Sequence, residues 1–215
     1  MANYQSDLSL NTVHISNHLR NYEAARTGFF SFIVAPDQLT NLYRPDFDPD
    51  SGEATENDGT LYNGSLASDY LRLNVVKANV PTHTLDTADY RRGNDIVHYA
   101  SVPTWSDGSI TVDDVVGLET KNLLYAWFYL AYNPHTRKGG RMVDYKKTCT
   151  LIEYTQDHKA IRRWTLEGCF ITGIDEDAFD KENDGKRQLT VSIKYDRAIM
   201  SFDDLDSQDD SSIWR

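Results

Sequence analysis

Carboxylates are the commonest groups in this chain with the means to do chemistry, and they cluster. Asp46, Asp48, Asp50, Glu53, Glu56 and Asp58 crowd the stretch DFDPDSGEATENDG, and Asp180, Glu182 and Asp184 precede Gly185 in a second acidic stretch, Asp175 to Arg187. Oxygen ligands at alternate positions are what a calcium loop requires. Neither stretch completes that pattern. Counted from Asp46, the sixth position is Ser51 in place of glycine and the twelfth is Asn57 in place of glutamate, while the twelfth from Asp180 is Val191. His14 and His18 stand four apart, as two metal ligands on one helix face would, but without a third ligand close in sequence they read as surface histidines. Cys149 and Cys169 form no CxxC pair and fall in alternating apolar segments, so buried reduced thiols are expected. The basic stretch HTRKGGR, His135 to Arg141, lacks the glycine-lysine arrangement that cradles phosphate. No nucleophile elbow, zinc-hydrolase helix or dinucleotide glycine pattern is present. The carboxylates crowd water-accessible loops, whereas general acid catalysis needs a partly desolvated carboxyl. The expectation is a protein that is not an enzyme and uses neither metal nor cofactor.

Charge narrows the partners. With 22 basic and 33 acidic side chains the net charge is −11, which argues against tight nucleic-acid binding and against a polybasic membrane contact. The longest apolar runs fall short of the ~20 residues that span a bilayer. No charged-then-apolar leader opens the chain. A soluble protein, made and kept in a cytoplasm, is expected. The 215 residues, 40% hydrophobic, suffice for one core. They are read as a single domain over 1–215, with a long acidic insertion at 36–69 and an acidic tail at 201–215.

The elements that position everything else are strands. In AIRRWTLEGCFITGI, Ala160 to Ile174, one set of alternate residues is Trp164, Leu166, Gly168, Phe170, Thr172 and Ile174, expected to face a core. Tyr145 to Tyr154 precedes it, and Gln188 to Ala198 follows with Leu189, Val191, Ile193 and Tyr195 in alternation. Gly28 to Ala35, Tyr70 to Val80 and Ser109 to Val112 read as further strands. Gly93-Asn94 within RRGN marks a tight hairpin. Leu123, Leu124, Trp127, Leu130 and Ala131 recur at helical spacing over Leu118 to Tyr132, before Pro134. A segment over Thr12 to Arg26 fits a short helix or an extended arm. The fold class is therefore mainly β, an antiparallel sandwich or barrel with one flanking helix.

This order of elements resembles the tail tube proteins of contractile-tailed phages, relatives of the tube subunits of type VI secretion and other contractile injection machines. The residues that carry the likeness are RRGNDIVHY (Arg91 to Tyr99), WSDGSITVDD (Trp105 to Asp114), the helix around Trp127, WTLEGCFITGI (Trp164 to Ile174) and LTVSIKYDRA (Leu189 to Ala198). The resemblance implies a structural virion protein, assembled in a host cytoplasm. Its six-membered rings would join sheets edge to edge and stack into a tube through which DNA passes without specific binding. Its other partners would be tail sheath and baseplate or tail terminator proteins. On that picture Arg163, Thr165 and Glu167 face the lumen, and Tyr43, Phe47 and Tyr62 in the acidic insertion anchor ring to ring. Two further readings stand beside it: a β-sandwich binding module assisted by calcium, and a tube or baseplate protein of a contractile injection system.

Overall fold

The computed structural model describes residues 27–42, 61–116, 119–134, 136–155, 158–181 and 185–202. The segment at Thr12 to Arg26 with His14 and His18, the acidic stretch 46–58, and the tail beyond Phe202 lie outside them.

One antiparallel sheet dominates. Its strands are β1 (Phe30–Val34), β2 (Val75–Ala78), β5 (Gly108–Asp113), β8 (Lys147–Tyr154), β9 (Ala160–Glu176), β10 (Gln188–Lys194) and β11 (Arg197–Phe202). The order is β1-β8-β9-β10-β5-β2, with β11 also paired to β9. The organising strand is β9, at 17 residues. Its first half lies between β8 and β11, with Thr165 opposite both Thr150 and Ile199, and its second half pairs β10. This long strand thus carries the chain from one half of the sheet to the other.

The alternation expected along β9 holds only to Leu166. Gly168 then inserts one extra residue: Cys149 pairs Leu166, yet Lys147, two residues away on β8, pairs Cys169, three residues on. Past this bulge Cys169 and Ile171 take the buried positions, Phe170 is half-buried, and Thr172 is exposed. A further irregularity, between Ser192 and Ile193 on the β10 side, separates Ile171 from Gly173, and Ile174 again packs against the core. Gly168 adopts φ +68°, which costs glycine nothing, and a Cβ there would lie 2.2 Å from Asp196 Oδ2. The even-numbered face was expected to be buried throughout; the bulge makes the core face change parity instead.

Among the described residues two helices of more than two turns cover the sheet, where one is expected from the sequence. Helix α1 (Gly64–Asn74) takes the first five residues of the strand expected at Tyr70 to Val80, of which Val75–Ala78 is strand. Asn63 starts it, its Oδ1 accepting from Ser65 N at 3.1 Å and Leu66 N at 3.5 Å. Ala67, Ser68 and Leu71 recur at helical spacing and are buried, whereas Leu73 is 80% exposed. The alternation of Leu71, Leu73 and Val75 is coincidental. Ser68 Oγ donates to Val34 O at 2.8 Å and so occupies a carbonyl on β1. The stretch expected as a loop over 36–69 thus ends in helix, and it begins in structure as well: a 3-10 turn at Pro36–Gln38 leads into the fully buried Leu39 and Leu42.

Helix α2 (Glu119–Ala131) occupies the expected span and buries Leu123, Leu124 and Trp127, whose Nε1 donates to Tyr145 O at 2.8 Å. After it come the two-residue strands β6 (Tyr132–Asn133) and β7 (Lys138–Gly139), then a one-turn helix α3 (Met142–Tyr145) that shortens the expected Tyr145 to Tyr154 strand. Phe32, Val34, Val112, Leu151, Leu166 and Val191 of the sheet close with Leu71, Leu124 and Trp127 of the helices into one cluster. Cys149 and Cys169 lie in it as free thiols.

The remaining strands, β3 (His83–Arg92) and β4 (Asp95–Trp105), form a hairpin of their own across the Gly93-Asn94 turn, with Gly93 at φ +67°.

Candidate functional site

Among the described residues, no three His, Cys, Asp or Glu side chains are grouped to hold a metal. Three arrangements do stand out.

The first is the β3–β4 hairpin. Every residue from His83 to Thr104 is exposed. At about 3.3 Å per residue, ten-residue strands reach about 30 Å from their base. Register divides the ribbon into two unlike faces. Tyr90 opposes Val97 and Ala88 opposes Tyr99 on one; Arg91 opposes Ile96 and Asp89 opposes His98 on the other. Asp89 Oδ1 and His98 Nδ1 are 2.5 Å apart. A two-stranded ribbon is at best marginally stable in water without a cover for its apolar face. Among the described residues its anchor is at the base, where Trp105 packs between His83 at 4.7 Å and Tyr195 at 6.2 Å between ring centroids. The turn was legible from RRGN; the exposed Tyr90, Val97 and Tyr99 were not singled out, because alternation shows that two faces differ and not that both are bare.

The second is the outward face of β9 before the bulge. Arg163, Thr165 and Glu167 lie together there, all half-buried, with Ile152 and Thr150 beside them on β8 and Ser201, Ile199 and Arg197 on β11. Glu167 Oε2 accepts from Arg197 Nη2 at 2.6 Å and from Nε at 3.0 Å. Tyr62 stands apart from this group. It is 6% exposed, inside the subunit's own core, with its N–H donating to Leu42 O at 2.9 Å. Tyr43 and Phe47 lie outside the described residues.

The third is a charged knot at the end of β9. Glu176 accepts from Lys121 Nζ and from Tyr125 OH, each at 2.6 Å, and from Arg187 Nη2. Arg187 also reaches Asp114 at 3.2 Å. The bonds from Lys121 and Tyr125 hold the Glu176 carboxyl below the usual carboxylate range. Burial, then the bond to that carboxylate, pushes the Tyr125 phenol up to about 12. Ionised Glu176 therefore clamps α2 to the strand.

Each arrangement fixes a surface or joins elements, and none pairs a nucleophile with a base. Residues 72–198 match the family model of the T4-like virus tail tube protein gp19. Comparison with curated proteins gives no match. Among solved structures, a chain of the PVC sheath–tube complex of an extracellular contractile injection system in the extended state is similar over 89% of this chain and 98% of that one, at 13% identity and a TM-score of 0.56. A chain from the tube-terminating cap of the anti-feeding prophage is similar over 84% and 93%, again at 13% identity and 0.56. At such identity these likenesses speak for the fold.

Proposed function

The chain belongs to the T4-like virus tail tube protein gp19 family, and on that premise we propose that its copies join into six-membered rings that stack through the β3–β4 hairpin and enclose a channel for DNA. Family membership makes it a structural subunit of a tail tube and a component of a phage particle. The observation that carries the finer reading is the hairpin itself: some 30 Å of ribbon whose face with Tyr90, Val97 and Tyr99 is left uncovered by the described residues. A neighbouring copy supplies the cover.

Sideways association has its own candidate. The outer edge of β1 is partly occupied by Ser68, whereas among the described residues β11 pairs only β9 and exposes Ile199, Met200 and Phe202. An unpaired apolar edge invites a further strand, and a closed ring consumes it without leaving ends. In this arrangement Arg163, Thr165 and Glu167 face the lumen, and the net charge of −11 keeps DNA from adhering to the wall. Tail sheath proteins outside, with baseplate and terminator proteins at the tube's ends, are the remaining partners.

Negative-stain electron microscopy at low and at high micromolar concentration tests the reading. Rings or tubes with a central channel are expected, and image symmetry gives the subunit count. Protein that stays monomeric at both concentrations, with a melting temperature independent of concentration, overturns self-assembly.

A further inference from the structure

We infer that the hairpin's landing surface on a second copy is the opposite end of the sheet, where Val116 and Phe179 stand exposed within an acidic rim. The inference rests on the reading that copies stack through the hairpin. Register places the two ends. Gly108 pairs Ile193 and Ala78 pairs Ile110, so the hairpin, which follows β2 and precedes β5, leaves from that end, its base joined by the Ser106 N–H donating to Thr82 O. At the other end Asp113 pairs Gln188, the Asp114 N–H donates to Arg187 O, and the Asp177 N–H donates to Gln188 O. Residues 114–116 and 177–181 therefore lie at this end on either side of the start of β10, a full strand length from the hairpin.

That end is apolar at its surface and firm beneath. Val116 is 98% and Phe179 is 87% exposed. The Arg187 guanidinium lies 4.1 Å from the Phe179 ring centroid and is itself held by Glu176 and Asp114. Asp175, Asp177 and Asp180 are exposed at this end, alongside Lys181 and Lys186; the hairpin brings Arg91 and Arg92 to its turn, Arg92 opposite Asp95, with Tyr90 and Tyr99 farther along the ribbon. Apolar groups meet apolar groups and cations meet carboxylates. A contact between opposite ends of identical subunits is also heterologous and does not close on itself, so it propagates as a stack.

The test compares two variants of the full chain with the wild type. Val116→Asp with Phe179→Asp alters only exposed side chains at the landing surface, and Tyr99→Asp alters the hairpin. Circular dichroism and melting temperature should match the wild type in both. Each variant should form rings but no tubes at concentrations where the wild type forms tubes, the threshold for tubes being raised about tenfold or more, as expected when central aromatic contacts are lost. Mixed together, the variants should give pairs of rings and nothing longer, because each mixture holds one intact hairpin end and one intact landing end. If the Val116→Asp, Phe179→Asp protein forms tubes like the wild type while Tyr99→Asp does not, the landing surface is wrong and hairpin stacking stands. If Tyr99→Asp also forms normal tubes, hairpin stacking falls, and this inference with it.

Discussion

At the scale of single residues, two positions near the start of β8 and the β9 bulge show what the fold depends on. Gly168 holds a positive φ, and the Asp196 carboxylate fills the space where a side chain would begin while itself receiving Lys146 Nζ at 2.7 Å. Gly168→Ala should therefore strain the backbone and displace an ion pair, lowering unfolding free energy by about 1–3 kcal/mol in urea titration. An unchanged midpoint would show that the bulge tolerates a side chain. Lys147 is 3% exposed, its Nζ donating to Gln38 O and to Asn41 Oδ1 at 3.1 Å. Burial lowers its ammonium from the usual 10.5 to about 8. The folded state therefore prefers the neutral amine, and the unfolded state binds more protons between about 8 and 10.5. The cost of holding the cation is fully present below about 8 and is relieved as pH rises through that window. Relative to Lys147→Met, the wild type should gain about 3 kcal/mol across it. A difference in unfolding free energy that stays flat with pH would show that burial does not lower the ammonium, which then stays protonated in the fold across the window.

At the scale of elements, legibility in sequence followed how many independent signals agreed. Helix α2 had spacing, an aromatic stripe and a following Pro134, and the expected span is the observed one within a residue at each end. Its buried Trp127 joins the core and bonds Tyr145, so Trp127→Ala should cost about 3–5 kcal/mol on thermal or urea unfolding. A loss below 1 kcal/mol, on the same order as a surface change, would mean that α2 contributes little to the core. Strand β10 was equally legible, with Leu189, Val191 and Ile193 all buried. Helix α1 was missed because Leu71, Leu73 and Val75 imitate a strand, while the decisive signals, the Asn63 cap and the small Ala67 and Ser68 on the buried side, carry little hydrophobic contrast. The phase change in β9 was missed because glycine fits an alternating pattern on either face; only its φ reveals the bulge. Of the candidate site, the hairpin turn could be read from Gly93-Asn94, but the isolation of β3 and β4 from the main sheet is a tertiary fact that no local pattern encodes.

At the scale of the whole molecule, the proposed ring poses the question of which face of the sheet would meet its channel. The face carrying Arg163, Thr165 and Glu167, with Ile152 and Ile199 beside them, is half-buried and borne on the strand that links both halves of the sheet, so in the proposed ring its position is fixed by the fold and not by a loop. Glu167 pairs with Arg197 at 2.6 Å, with side chains 41% and 60% exposed respectively, and an exposed pair of this kind is worth at most about 1 kcal/mol. Glu167→Lys should accordingly fold and assemble. It replaces a negative with a positive charge in every subunit, and a stack repeats that change along the whole channel. Passing DNA would then exchange its counterions for lysines on the wall, so ejection from reconstituted particles should slow, most strongly at low salt. Raising ionic strength should restore the rate, because counterion release is what salt opposes. The same slowing at every salt concentration would indicate a damaged tube. Ejection at the wild-type rate in low salt would remove this face from the lumen and turn attention to the other exposed surfaces of the sheet.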